Sequence, residues 1–213
     1  MRITNVETLI LQHNMDVELG FAQGYYNKRT AHIIKVHTDA GITGIGEIFG
    51  AGNFAFANQA IVNHVIAPML IGRNPLDINV IWHEVYNAMR DHGQKGMPIS
   101  CLSGVDIALW DIMGKATDMP LHQLLGGKAR EDFVVYGYGM MLQKRDDLAS
   151  AFEQEVKSIV EMGYTASKMK LGLGVDGDRE LAAAVRRGAG DGFKLMADSN
   201  HAYTVGEAIQ LGQ

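Results

Sequence analysis

Tyr164-Thr165-Ala166-Ser167-Lys168-Met169-Lys170-Leu171 is the stretch on which the fold turns. It lies between two segments of helical period, about 146–162 and 178–188, and reads as a strand between helices. Working outward, Phe133-Val134-Val135-Tyr136-Gly137-Tyr138 is a β-rich run ahead of the first helix. Phe193-Lys194-Leu195-Met196-Ala197-Asp198 is a strand after the second, and a helix opens near Thr204. Strand-then-helix units repeating at roughly 30 residues require a parallel sheet with crossover helices. Such units begin either a doubly wound sheet or a barrel, and periodicity does not separate the two.

Upstream the texture is different. Residues 2–12 alternate apolar and polar, Ala31-His32-Ile33-Ile34-Lys35-Val36-His37-Thr38 looks like a second strand, and Asp39-Ala40-Gly41 turns the chain into a third around Gly44-Ile45-Gly46-Glu47. A loop is expected over about 13–30, bearing Met15, Phe21, Tyr25 and Tyr26, and a glycine-rich loop over 49–54. Helical stretches follow through about 57–70, 76–92 and 98–117, with Asn74-Pro75 as a helix start. Strands followed by a run of helices suggest an α+β domain closing near Gly126-Gly127. The expected division is 1–127 and 128–213.

Composition narrows the function classes. Of 213 residues 47% are hydrophobic and 20% charged, a globular composition, and the net charge of −5 comes without any basic patch interleaved with aromatics. Nucleic acid is therefore not an expected partner. Cys101 is the single cysteine, so no internal disulfide framework exists. It lies in an apolar setting with no activating neighbour, which points to a buried, inert thiol. The first residues carry no long apolar core or small-residue cleavage site, and no apolar stretch spans a bilayer, so a cytoplasmic protein without membrane contact is expected.

Two strand ends carry residue types suited to chemistry. Lys168 and Lys170 are two apart, so they project from the same side of a strand while Met169 faces the other way. Two ammonium groups in a partly dry space need a carboxylate, a bound anion or a lowered pKa, and a lysine so placed suits a general base. Two solvent-facing lysines are the plain alternative. Asp198 and Asn200 are likewise two apart at a strand's C-terminal end, where barrel enzymes place their chemistry. A carboxylate there suits a hard divalent ion. An Asx turn leading into the Thr204 helix is the alternative. His201 is a lone histidine on the same loop. Gly44-Ile45-Gly46-Glu47 lacks a third glycine and opens no helix, so it is no phosphate loop. Asp106 and Asp111, on an apolar helix, are read as structural.

Ser103-Gly104-Val105-Asp106-Ile107-Ala108-Leu109-Trp110-Asp111-Ile112-Met113-Gly114-Lys115, continuing through Pro120-Leu121 to Leu124-Leu125-Gly126-Gly127, resembles the signature of the mandelate racemase / muconate lactonizing enzyme family of the enolase superfamily. Cys101 departs mildly from it, standing where alanine is more usual. The Lys168/Lys170 and Asp198/Asn200 pairs follow at the family's spacing. The resemblance implies an α+β capping domain followed by the first part of a modified (β/α)8 TIM barrel, and abstraction of a proton α to a carboxylate. It also implies Asp198 as a Mg²⁺ ligand, Lys170 as acid/base, and Lys168 as a neighbour that lowers the pKa of Lys170. Asn200, Tyr25 and His201 would contact substrate, with the loops at about 13–30 and 49–58 selecting it.

The segments 81–96 and 198–209 are most similar to those of sugar-acid enzymes, D-galactarolactone cycloisomerases in particular. That implies an aldaric acid or its lactone as substrate and a homo-oligomeric enzyme. An acid-sugar dehydratase or racemase is the alternative within the family, and a non-catalytic assembly or binding module the alternative outside it. The remaining Mg²⁺ ligands, and the acid/base on the opposite face, are expected beyond Gln213. The barrel is then incomplete, and the 213-residue chain alone is expected to show no turnover.

Overall fold

A computed structural model describes residues 1–50, 52–93 and 95–213. Ala51, in the glycine-rich loop, and Gln94, in the segment 81–96, lie outside the described residues. The chain forms two compact units. One comprises Met1–Asn14 and Lys28–Glu131, the other Met15–Asn27 and Asp132–Gln213.

In the first unit β1 (Ile3–Phe21), β2 (Gly24–Thr38) and β3 (Thr43–Ile48) form a sheet in that order. β2 and β3 are antiparallel, His32 opposite Ile48 and Val36 opposite Gly44. The helices are α1 (Phe54–Ile61), α2 (Ala67–Leu70), α3 (Ile78–Met89), α4 (Met97–Thr117) and α5 (Leu121–Leu124). A π-helical turn, Val62–Ile66, joins α1 to α2. The helix expected from Asn74-Pro75 starts later, at Ile78. Asn74 instead bends the chain into it, accepting from the Leu76 amide and donating to the Asp77 carboxylate.

Ile34, Val36 and Ile48 bury against Leu102, Val105, Leu109 and Ile112 of α4 and Ile81 and Val85 of α3. The seam between β3 and α4 is built from missing side chains. A Cβ at Gly44 would overlap the Ala108 carbonyl, one at Gly46 the Gly104 carbonyl, and one at Gly104 the Ile48 side chain. Signature and sheet glycines thus meet backbone to backbone. Asp111 closes the seam, accepting from the Ile45 amide (2.8 Å) and from Lys115 (2.6 Å), whose ammonium also donates to the Thr43 carbonyl (2.7 Å). The structural reading of Asp111 holds. Asp106 carries no such bridge among the described residues, and burial pushes its carboxyl up. Cys101 is fully buried and its thiol is pushed up to about 12 by desolvation, as an inert thiol should be.

The segment read as a loop over 13–30 is a correction: β1 and β2 run on as a two-stranded ribbon turning at Ala22-Gln23. Its polar residues are exposed in succession rather than in alternation, so no period-two signal survives. Residues 15–27 of this ribbon belong to the second unit. There the Gly20 and Leu142 amides and carbonyls exchange two hydrogen bonds (2.7 and 3.1 Å), and Glu18 pairs with Lys144 (2.9 Å).

The second unit's sheet is parallel, in the order β4 (Gly137–Tyr138), β5 (Ala166–Lys170), β6 (Lys194–Asp198). α6 (Leu148–Glu161), α7 (Val175–Ala189) and α8 (Val205–Gly212) follow the three strands in turn. Phe152, Val156 and Ile159 of α6, Leu181 and Val185 of α7 and Met169 of β5 form its core. Phe133 to Tyr136, read as the start of the first strand, are unpaired and exposed. The Thr204 start is confirmed by a capping box, with the Glu207 amide donating to Thr204 Oγ1 (3.4 Å) and Glu207 accepting from the Thr204 amide (2.9 Å).

Candidate active site

β5 sorts its side chains by face. Ser167 and Met169 are fully buried, Met169 in the core and the Ser167 hydroxyl on the Gly137 carbonyl (2.8 Å). Lys168 and Lys170 take the other face, as the two-residue spacing predicts. The register sets Lys170 beside Asp198 and Lys168 beside Met196 on β6, with Tyr138 beside Lys168 on β4.

Both ammonium groups reach one carboxylate oxygen: Lys170 Nζ donates to Asp198 Oδ2 at 2.8 Å and Lys168 Nζ at 3.2 Å. Lys170 also donates to Asn200 Oδ1 (2.6 Å), and the Asn200 amide donates to Asp198 Oδ1 (3.1 Å). The four residues are one connected network. Lys170 is nearly buried, at 7% exposure, which makes it the least solvated charge in the group. Lys170 and then Lys168 hold the Asp198 carboxyl down at about 2, and the same carboxylate raises Lys168. Lys168 Nζ further lies 5.2 Å from the centroid of the Tyr138 ring, a cation–π contact that the sequence reading missed.

The loop after β6 has left-handed backbone at Asn200 (φ 45°) and His201 (φ 65°). Left-handed residues are uncommon outside glycine and Asn is among the tolerated exceptions; the Asx turn is made by Asp198, which accepts the Asn200 amide, and it coexists with the network. His201 is exposed and, among the described residues, is not hydrogen-bonded to the network. Tyr25 is placed elsewhere in its contacts: its ring packs on the second unit's core and faces Lys144 Nζ at 4.8 Å.

The donor set of one carboxylate and one amide oxygen suits a hard divalent ion in kind. It falls short in number, because among the described residues no three His, Cys, Asp or Glu are placed to share an ion. Chemically, the arrangement offers an excess cation in a half-buried place: two ammonium groups against one carboxylate.

Residues 5–126 match the family described as mandelate racemase / muconate lactonizing enzyme, N-terminal domain, and residues 151–213 match the enolase C-terminal domain-like family. D-galactarolactone cycloisomerase of Agrobacterium fabrum is 39% identical over 212 residues, which cover 100% of this chain and 55% of that protein. Arabinonate dehydratase of Saccharolobus solfataricus is 32% identical over 84% of this chain and 48% of its own length. The crystal structure of the 3,6-anhydro-D-galactonate cycloisomerase from Zobellia galactanivorans superposes with a TM-score of 0.85 at 31% identity, covering 99% of this chain and 54% of that one. The chain thus spans about half the length of the curated relatives it matches.

Proposed function

Since the chain belongs to the mandelate racemase / muconate lactonizing enzyme family of the enolase superfamily, we propose that its protein removes the proton α to the carboxylate of a sugar acid or its lactone, with Lys170 as the acid/base. The observation that carries this reading is the network on β5 and β6: a nearly buried lysine held by Asp198 and Asn200, with a second lysine beside it. In this reading β4, β5 and β6 are the first strands of a modified (β/α)8 barrel, whose chemistry belongs at the C-terminal strand ends where Lys170 and Asp198 lie.

A proton α to a carboxylate is very weakly acidic, so most of the catalysis must come from stabilising negative charge as it develops. Asp198 would be one of the residues holding Mg²⁺, which would supply positive charge to the developing enolate oxygen. Lys170 acts as its neutral amine, the ammonium having first released a proton to solvent; Nζ then takes the α-proton as the C–H electron pair enters the enolate. Lys168 stays cationic beside the Tyr138 ring and offers the substrate carboxylate a counter-charge. Asn200 keeps Lys170 on its line of approach. In an aldarolactone the enolate collapses by expelling the ring oxygen from the β-carbon, opening the ring without change of oxidation state.

The D-galactarolactone cycloisomerase and the 3,6-anhydro-D-galactonate cycloisomerase support the cycloisomerase outcome. The arabinonate dehydratase supports a second, in which the β-carbon loses hydroxide as water. The test uses the complete protein with Mg²⁺ in D2O and follows deuterium entry at the α-carbon of galactarolactone and of free aldaric and aldonic acids by NMR. Exchange with ring opening of the lactone is the expected result, and water loss from an aldonic acid selects the second reading. A Lys170→Ala protein that exchanged at the wild-type rate would defeat the assignment of the base.

A further inference from the structure

Asp178 is a fully buried carboxylate outside the Lys168–Lys170–Asp198–Asn200 network, and its partners are distinctive. It accepts from the Gly172 amide (2.8 and 3.1 Å to its two oxygens), from the Leu173 amide (3.0 Å) and from the Tyr203 hydroxyl. The Tyr203 oxygen in turn accepts from the Gly174 amide (3.1 Å). Three successive amides of the loop after β5 therefore end on two side chains, one on α7 and one on the loop after β6. We propose that Asp178 and Tyr203 are positioning residues for the proton transfer, clamping the loop that follows Lys170 to the loop that carries Asn200.

A buried carboxylate is tolerated only with its oxygens satisfied, and here every donor is fixed by geometry. Among the described residues Asp178 makes no hydrogen bond to Lys168, Lys170, Asp198 or Asn200, so its role is to position rather than to move a proton. Its leverage comes from chain distance. Gly172 is two residues beyond Lys170, and Tyr203 is three beyond Asn200. Between them the Leu171 amide donates to the Asp198 carbonyl (3.1 Å), so the strand ladder passes directly into the clamp. The loop after β6 needs such an anchor, because the left-handed residues Asn200 and His201 persist only where surrounding contacts over-determine them. Gly172 completes the junction. Its φ is +138°, and a Cβ there would overlap Ala22 at the ribbon's turn and touch Ala202. Three loops meet at a residue with no room for a side chain, and the clamp holds that residue's amide.

The inference rests on Lys170 being the acid/base, and the test separates the two. Tyr203→Phe is the deciding variant, because it leaves the three amide bonds of Asp178 in place and removes only the tie between loops. In the complete protein, with Mg²⁺ and galactarolactone as the probe, Tyr203→Phe is expected to lower kcat about tenfold with KM changed less than about twofold, since a small displacement of a reacting group is felt in the chemical step. The Gly174 amide is expected to exchange with solvent faster while far-UV dichroism stays unchanged. Asp178→Asn removes an acceptor and is expected to lower kcat further, about a hundredfold. Wild-type kcat in Tyr203→Phe, alongside loss of exchange in Lys170→Ala, would overturn the clamp and leave the base assignment standing. Retained exchange in Lys170→Ala would remove the reading beneath it.

Discussion

Among the described residues two aspartate–lysine arrangements stand out, one in each unit, and they differ in stoichiometry more than in distance. Asp111 and Lys115 are 2.6 Å apart, i and i+4 on one helix, each about a third exposed or more. Their remaining bonds go to the Ile45 amide and the Thr43 carbonyl, so one anion and one cation finish the backbone of an edge strand. Asp198 and Lys170 are 2.8 Å apart, and Lys168 shares the same oxygen. There a single carboxylate serves two cations, one nearly buried, and no strand edge needs them. A neutral, backbone-directed pair is architecture. A surplus ammonium in a half-dry place has meaning only once an anion arrives.

The contrast breaks most sharply at Lys170. Lys170→Ala in the complete protein should lower α-proton exchange about a thousandfold, within the range for loss of a positioned acid/base, with little change in stability. NMR-monitored exchange and urea unfolding measure the two effects. Gly46→Ala should do the reverse, lowering stability by about 2–3 kcal/mol because the new methyl meets the Gly104 carbonyl in a seam with nothing to move aside.

His32 gives a pH-dependent version of the first unit's demands. It is fully buried on β2 and, among the described residues, neither ring nitrogen has a hydrogen-bond partner. Desolvation lowers its pKa below the ordinary 6.5, so the folded protein resists a proton that the unfolded chain accepts. Stability should be full above pH 6.5 and decline as pH falls below it. His32→Leu should flatten a series of urea midpoints between about pH 7 and pH 5. Asp198 does not interfere in that window. Its carboxyl is held at about 2, so its contribution, present above the ordinary carboxylate range, goes only as pH falls toward that value. Lys115→Ala should be the mildest change, about 0.5 kcal/mol by thermal unfolding and no effect on exchange, as for an exposed helix pair.

These expectations follow how legible each part was in the sequence. The lysine pair and Asp198 could be read because strand period alone puts Lys168 and Lys170 on one face, and the parallel register then brings Asp198 beside Lys170. Helix α4 was legible as an apolar run of helical period, but the reason for Gly104 was not, since it lies in the facing glycines of β3. The ribbon over 15–27 escaped because its strands have no consistently buried face. Asp178 escaped for a further reason. A single acidic residue in a helix's first turns is ordinary, and what makes this one different is the set of amides folded over it from the preceding loop. The Tyr138 contact needed the β4–β5 register, and only two residues of that strand are paired.

The glycine seam has one further consequence, for how the first unit can move. Where side chains interdigitate, a contact can soften by rotamer hopping. Gly44, Gly46 and Gly104 have no rotamers, and what faces them is carbonyls and the side chains of two isoleucines, Ile48 and Ile112. Motion there is motion of main chain or none at all, so β3 and α4 must travel as a stiff plate. Any flexing of the unit is displaced to its loops.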